Sequence, residues 1–293
     1  MVEGRDDANL DPAEVRDEVS EPRRLNLPPL LIRALSAVVL IAVFVGLLAI
    51  GWAGLLALVA IVTALALWEF QRLSGLMGFR APLWLLFPIG FFFTFSGTLF
   101  VRVPVELVLA VALIGGLSVF LFVPGRRQGL GPWAMSLAGG IYLGMPFNYY
   151  LLLYTHDQGL IWLVTVVATV VIADVVALLV GSAVGRHPFL PRISPKKTWE
   201  GAIAGLAVCV PVFLLSARLL LHFPWWHAVV LGLLVGIAGL IGDLVESQMK
   251  RLAGVKDSSN LIPGHGGVLD RIDSLLFAPI VVFLYAQAFH LWR

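Results

Sequence analysis

Nine apolar stretches constrain what this chain can fold into more than any other feature of its sequence. A helix that crosses a lipid bilayer needs about 20 mostly apolar residues. The stretches cover residues 31–50, 52–70, 83–101, 105–123, 132–153, 159–184, 199–220, 226–246 and 268–290. Only 13% of the residues are charged, whereas a soluble domain carries about 25%. We therefore predict an all-α polytopic membrane protein with about nine transmembrane helices. Because only Gly51 and Trp52 separate the first two stretches, these could instead form one broken helix, which would make the number eight.

The positions of Lys and Arg predict how these helices are oriented. Cytoplasmic loops of membrane proteins are enriched in both residues. With a cytoplasmic amino terminus, sixteen of them fall on the cytoplasmic side, and Arg102, Arg218 and Arg293 fall on the other, while Arg5 completes the twenty. The asymmetry favours nine crossings, with the amino terminus in the cytoplasm and the carboxyl terminus outside.

The chain divides by composition into three parts. Residues 1–28 are polar and hold eight of the eighteen acids, so we expect a disordered cytoplasmic tail. Residues 29–158 contain the first five predicted spans, and residues 159–293 contain the other four. The latter part also has two longer cytoplasmic loops, 185–198 and 247–267, where chemistry can take place.

The first loop ends in the run Ser194-Pro195-Lys196-Lys197-Thr198-Trp199-Glu200-Gly201. Two lysines and two hydroxyl residues before a helix start suit an anion such as phosphate. The alternative is a positively charged anchor in which Thr198 is the N-cap. We expect Gly201 and Gly205 to allow close helix packing.

Polar residues are densest between Gly242 and Ser274. On a helix, Asp243, Glu246, Ser247 and Lys250 share one face, and Asp270, Asp273 and Ser274 have the same spacing at the start of the ninth stretch. Carboxylates with nearby phosphates are typical of a Mg²⁺ site. The turn Gly264-His265-Gly266-Gly267 can bring backbone N–H groups close to an anion. These features predict a site for phosphate and metal, although acids and bases could simply pair at the helix ends.

Two acids lie inside predicted spans. Asp174 is in the middle of the sixth, where an ionisable residue usually has a partner or a function. Its alternative role is a structural hydrogen bond to a neighbouring helix. Glu69 lies at the end of the second span, where we expect it to be interfacial or packed against Arg72, with a role in the site as the lesser alternative.

The run from Ser247 to Asp273 resembles the signature of phosphatidate cytidylyltransferases, also called CDP-diacylglycerol synthases. It reads Ser247-x-x-Lys250-Arg251, Lys256-Asp257, Leu261-Ile262-Pro263-Gly264-His265-Gly266-Gly267 and Asp270-Arg271-Ile272-Asp273. The run from Ser194 to Gly201 resembles a second motif of this family. Asp174 with Gly181, Gly185, Arg186 and His187 resembles a third.

The resemblance implies an enzyme that joins CTP to phosphatidic acid and forms CDP-diacylglycerol and pyrophosphate. It implies Asp243 and Asp270 as ligands of a catalytic Mg²⁺, with K⁺ as an optional second cation. It also implies a homodimer. We expect a bacterial-type inner membrane protein without a nucleic-acid partner, and the charge distribution predicts that the site is cytoplasmic, because both longer loops lie on that side. The predicted catalytic residues are Asp243, Asp270, Lys250, Lys256 and His265. The predicted substrate-binding residues are Asp174, Ser194, Lys196, Lys197, Thr198, Ser247, Arg251, Gly264, Gly266, Gly267, Arg271 and Asp273.

These residues predict catalysis by positioning and charge neutralisation, without a nucleophilic side chain. The phosphate of phosphatidic acid would attack the α-phosphorus of CTP directly. His265 could donate to a leaving oxygen or could only shape its turn. A transporter for cations or protons is an alternative, because Asp174, Asp243 and Asp270 could form an ion pathway. Another membrane CTP-dependent lipid transferase is a further alternative.

Overall fold

The structure is a computed structural model that describes residues 29–121 and 129–292. The predicted tail at residues 1–28, and Arg126 and Arg127 of the charge count, lie outside the described residues. The helices are α1 (Pro29–Ala49), α2 (Trp52–Leu76), α3 (Leu83–Phe95), α4 (Val105–Ala110), α5 (Gly116–Leu121), α6 (Leu130–Thr155), α7 (Gly159–Val184), α8 (Trp199–Ser216), α9 (Trp225–Leu252), α10 (Leu269–Ile272) and α11 (Ala278–Ala288). Five-residue π-helical turns, Val111–Gly115 and Ala217–Leu221, join α4 to α5 and extend α8.

The first two apolar stretches form separate helices. Between them, Gly51 has a φ of +84°, a backbone conformation that residues with a Cβ rarely adopt. Helix α2 starts directly after this glycine, at Trp52. The two stretches are therefore separate helices and not one broken helix.

The described residues confirm an all-α membrane protein. Four of their helices are long and apolar enough to cross a membrane, namely Trp52–Leu76, Gly159–Val184, Trp199–Leu221 and Trp225–Leu252. Shorter apolar helices cover Ala34–Ala49, Leu83–Phe95 and Val105–Val119. The number of nine crossings and the orientation of the termini stay predictions.

The expectation of one continuous helix over residues 268–290 is wrong. The chain instead forms α10, a 3₁₀ turn at Asp273–Leu275 and then α11. Proline lacks a backbone N–H and is best tolerated in the first turn of a helix. Pro279 lies in the first turn of α11. Because it could not donate a hydrogen bond inside a longer helix, a new helix begins here.

Other boundaries also differ from the prediction. Helix α2 extends to Leu76, and α3 ends at Phe95. Lys250 and Arg251 belong to α9, so the loop begins only at Ala253.

The loop between α7 and α8 contains the two strands of the described residues. Strands β1 (Pro188–Leu190) and β2 (Ser194–Thr198) form an antiparallel hairpin in which Leu190 pairs with Ser194. At its end, the Gly201 N–H donates to Thr198 Oγ1 at 3.3 Å. This contact confirms the interpretation of Thr198 as the N-cap of α8.

Helices α7 and α8 pack closely through small residues. A Cβ added at Gly201 would lie 2.6 Å from the Ala177 carbonyl oxygen, and one at Gly205 would lie 2.9 Å from the Ala173 carbonyl oxygen. The packing role predicted for these two glycines is confirmed. Because the hairpin leads directly into α8, this packing places the hairpin beside α7, the helix that contains Asp174.

Gly201→Ala should destabilise the protein, because the new methyl group meets backbone atoms that cannot rotate away. Overpacking of this kind costs about 1–3 kcal/mol, so we expect a lower unfolding temperature in detergent. The matched control is Gly46→Ala on α1, where an added Cβ meets nothing within 4 Å. Equal stability of the two variants would contradict the close approach of α7 and α8.

Candidate active site

Asp243 lies in the carboxyl-terminal half of α9 and contacts the hairpin. Its Oδ2 forms an ion pair with Lys197 Nζ of β2. One turn later on α9, Ser247 Oγ donates to Asp243 Oδ1 at 3.2 Å. The predicted shared face of α9 is confirmed for this pair, and Asp243 joins two of the sequence motifs.

Lys250 connects α9 to the segment that leads into α11. Its Nζ donates to Asp270 Oδ1 at 2.7 Å and forms an i,i+4 ion pair with Glu246. The three side chains are almost inaccessible to solvent, with 12% exposure for Lys250, 0% for Glu246 and 4% for Asp270. Charges at such depth must be paired to be tolerated, so this lysine is essential to the arrangement.

Asp270 is held from several directions in the segment between α9 and α11. Its Oδ2 accepts hydrogen bonds from Ser258 N at 2.9 Å, Ser258 Oγ at 2.8 Å and Gly267 N at 2.8 Å. Burial opposes ionisation of this carboxyl, but the hydrogen bonds from Lys250 and Gly267 outweigh it and hold its pKa below the ordinary value. Asp270 is therefore a preorganised carboxylate.

Two further acids lie close to Asp243. Asp174 on α7 lines the same cavity as Asp243, and Asp273 shares a hydrogen-bond partner with Asp174. Ser274 donates to both acids, from Oγ to Asp174 Oδ1 at 3.4 Å and from its N–H to Asp273 Oδ1 at 2.7 Å. The structure thus gives Asp174 a hydrogen-bond partner and also places it at the site.

A first cavity of about 400 Å³ opens between α7, α8 and α9. Its walls are mainly small and apolar residues of these three helices, including Ala177, Gly205 and Gly236. Charged residues also line it, namely Asp174, Lys196, Lys197 and Asp243. The cavity combines an apolar volume with cations and carboxylates.

A second cavity of about 610 Å³ is polar and is formed by the loop after α9. Its lining includes Lys256, Asp257, Asn260, His265 and Arg271.

A glycine turn forms part of the wall of this second cavity. Gly264 and Gly266 have φ values of +76° and +81°, and the Ile262 N–H donates to the Gly266 carbonyl at 2.8 Å. Both positions therefore favour glycine. Gly267 differs, because its N–H already donates to Asp270 and an added Cβ would lie 2.5 Å from Glu69 Oε1.

Both the ring and the backbone of His265 contact other segments of the protein. Its Nδ1 lies 2.8 Å from Ser36 Oγ of α1, and its carbonyl accepts from Arg271 Nε at 3.0 Å. Ser36 Oγ also donates to the Pro263 carbonyl at 3.1 Å. These contacts favour the role of His265 in shaping the turn.

The predicted site residues that line a cavity fall into two groups. Asp174, Lys196, Lys197, Thr198 and Asp243 line the first cavity, whereas Lys256, Gly264, His265, Gly266 and Arg271 line the second. Two residues have contacts elsewhere. Ser194 pairs within the hairpin, and Arg251 Nε donates to the Ile193 carbonyl at 3.0 Å, which ties the hairpin to α9.

Glu69 is a residue for which the sequence interpretation gave a role in the site only as the lesser alternative. The expectation that it is interfacial or packed against Arg72 is wrong, because the side chain is completely buried and accepts four hydrogen bonds. Its partners belong to the loop after α9. Helix α2 extends to Leu76, so Glu69 lies inside an apolar helix, and the rule that singled out Asp174 also applies to it.

The chain is similar to several phosphatidate cytidylyltransferases. The chain is 40% identical over 178 residues to a phosphatidate cytidylyltransferase of Brucella abortus (strain 2308), which is 60% of this chain and 64% of the relative. The phosphatidate cytidylyltransferase of Bacillus subtilis (strain 168) is 40% identical over 151 residues, 50% of this chain and 55% of that protein. That of Mycobacterium bovis is 38% identical over 128 residues, 44% of this chain and 42% of that protein. The matches thus span less than two thirds of each relative.

A family profile covers more of the chain than these pairwise matches. Residues 31–289 match the Cytidylyltransferase family, and this range includes all of the predicted site residues. The chain belongs to the cytidylyltransferase family.

Proposed function

We propose that this protein is an integral-membrane nucleotidyltransferase that condenses CTP with phosphatidic acid. The products are CDP-diacylglycerol, an intermediate for phospholipid synthesis, and pyrophosphate. The observation that carries the proposal is the first cavity, where the walls of three apolar helices meet Lys196 and Lys197. Such a cavity suits a lipid with an anionic headgroup, because the acyl chains need apolar walls and the phosphate needs cations.

The second cavity suits the nucleotide. Lys256 and Arg271 line it together with a glycine turn, and a polyphosphate requires both positive charge and close approach of the backbone. Asp243 and Lys197 border the first cavity. Lys250, on the same face of α9 as Asp243, donates to Asp270, which directly precedes Arg271. Helix α9 thus carries a charged residue of the first cavity and a lysine that reaches the segment before Arg271.

We propose Mg²⁺ from the chemistry of the two carboxylates and not from an assembled set of ligands. Among the described residues, no group of three or more His, Cys, Asp and Glu side chains forms a ready metal site. One or two carboxylates suffice for Mg²⁺ when substrate phosphates and water supply the other ligands. Asp243 and Asp270 would hold the ion, with K⁺ as an optional second cation. When bound, Mg²⁺ would neutralise negative charge on the phosphates.

The residues support direct transfer. A phosphate oxygen of phosphatidic acid forms a bond to the α-phosphorus of CTP, and the bond from that phosphorus to the β-bridging oxygen breaks, so that pyrophosphate leaves. An ionised phosphate is already a nucleophile and needs no general base. Lys197, Lys250 and Lys256 would bind and neutralise the phosphates, while the loop around Asp270 keeps the nucleotide in line.

The surroundings of the site follow from the distribution of charge. We place both cavities on the cytoplasmic side of a bacterial inner membrane, where the cation-rich loops are expected and CTP is available. A homodimer without a nucleic-acid partner is the assembly that we expect from the family.

The proposal is tested with the purified protein in detergent micelles that contain phosphatidic acid. We expect CTP and Mg²⁺ to give CDP-diacylglycerol and pyrophosphate in equal amounts. Product formed only with another lipid acceptor would instead support a different CTP-dependent transferase. Ion uptake by proteoliposomes without nucleotide, and no lipid product, would support the transporter.

Lys197→Met should raise the KM for phosphatidic acid about tenfold, and more than it raises the KM for CTP. A hydrogen bond to a charged group contributes about 1.5–3 kcal/mol, and Lys197 is a cation of the lipid cavity. Steady-state kinetics with each substrate varied separately measure the two effects. The control is Arg192→Met, which removes an exposed cation from the turn of the same hairpin. A larger rise in the KM for CTP would contradict the assignment of the lipid to this cavity.

A further inference from the structure

Glu69 has a complete and symmetric set of hydrogen bonds. Oε1 accepts from Ser259 Oγ at 2.6 Å and from Val268 N at 2.9 Å. Oε2 accepts from Ser258 Oγ at 3.0 Å and from Leu269 N at 2.7 Å. Each oxygen therefore receives one hydroxyl and one backbone N–H, in a side chain with no solvent exposure.

These four donors lie on both sides of the loop that contains the second cavity. Ser258 and Ser259 come directly after Lys256 and Asp257, while Val268 and Leu269 come directly before Asp270. Ser258 Oγ also lies 2.8 Å from Asp270 Oδ2, so the two carboxylates share its single proton. One carboxylate of α2 therefore ties the two ends of this loop together and supports Asp270 through Ser258.

The site requires a carboxylate of this length. An ionised carboxylate only accepts hydrogen bonds, and its two oxygens have room for four donors. In Gln, one oxygen becomes an NH₂ group that would face a backbone N–H, leaving a buried donor unpaired. Asp is shorter by one methylene group and cannot reach the same four donors without movement of the loop.

We propose that Glu69 is a positioning residue that holds the nucleotide-binding loop, residues 256–270, in its reactive conformation. This inference rests on the proposed function, and it assigns to the amino-terminal helices a part in CTP binding. Glu69 does not touch the substrates. It acts through the backbone of residues 268 and 269 and through Ser258.

The test compares Glu69→Gln with wild type by kinetics and by hydrogen–deuterium exchange. Loss of a residue that orients a ligand group typically lowers activity by about 10–100-fold, so we expect kcat/KM for CTP to fall by that factor. The KM for phosphatidic acid should stay within about twofold. Without substrates, the amides of Val268 and Leu269 should exchange faster, while those of α7 and α8 keep their protection.

Glu106→Gln is the matched control, because it makes the same chemical change at an exposed acid of α4. Wild-type kcat/KM and wild-type amide protection in Glu69→Gln would overturn the proposal. A uniform fall in kcat with both KM values unchanged, and equal loss of protection in all helices, would also overturn it by showing a purely structural role.

A milder variant decides the question if Glu69→Gln does not fold. Ser259→Ala removes one of the four donors and leaves Ser258 with Asp270, so it should raise the KM for CTP severalfold. An unchanged KM in a folded Ser259→Ala protein would overturn the proposal. A wild-type protein that makes no CDP-diacylglycerol would disprove the proposed function, whereas the exchange experiment would still test the role of Glu69.

Discussion

Asp270→Asn is expected to lower the rate of CDP-diacylglycerol formation by about 10²–10³-fold, which is the typical cost of removing one preorganised electrostatic group. The carboxylate accepts from Lys250 at one oxygen and from three donors of Ser258 and Gly267 at the other. An amide keeps the shape but loses the charge and one of the two acceptor oxygens. It would therefore leave donors unpaired and weaken binding of the predicted Mg²⁺.

The measurement is the initial rate over a range of Mg²⁺ concentrations. We expect Asp243→Asn to give a loss of similar size, because both carboxylates are proposed to hold the ion. Asp157→Asn is the matched control, since this exposed acid precedes α7 at the end remote from the site. Near-wild-type, Mg²⁺-dependent rates in either Asp270→Asn or Asp243→Asn would contradict the proposed metal site.

Lys250→Met should have the largest effect on stability. Removing one partner of a buried ion pair typically costs about 3–5 kcal/mol, because the remaining charge is left without compensation. Here two acids lose their cation, and Glu246 is completely buried. The unfolding free energy in mixed micelles, titrated with SDS, measures the loss.

Lys196→Met is the control for this stability measurement, because it removes an exposed lysine. The double variant Glu246→Gln/Lys250→Met should recover part of the lost stability, since it removes one of the two uncompensated charges. Equal stability of Lys250→Met and Lys196→Met would show that the buried ion pair does not stabilise the fold.

Local sequence patterns were sufficient to predict the all-α fold class and several contacts within and between neighbouring helices. Helix α7 covers Gly159–Val184, as predicted, because its apolar run ends at glycines on both sides. The i,i+4 spacing on α9 correctly brought Ser247 to Asp243. Small residues at Gly201 and Gly205 correctly indicated close packing. Each of these features depends on residues within a few turns of one another.

Features that depend on distant parts of the chain were not predicted. Hydropathy alone could not show the break between α10 and α11, because the residues around Pro279 remain apolar. The partners of Glu69 lie 189–200 positions further along the chain, so no local spacing connects them. The requirement for glycine at position 267 also depends on a distant residue, since an added Cβ would lie 2.5 Å from Glu69 Oε1.

The hydrogen bonds of Glu69 also predict what happens when the protein is produced as two separate fragments. A cut at residue 158, the compositional boundary, would put the acceptor on one fragment and all four donors on the other. Each fragment alone would lack the hydrogen-bond partners that bury these polar groups in the whole chain, which costs free energy wherever they stay buried. Two such fragments produced in the same cell should therefore complement each other only as a complex, and neither should be active when produced alone.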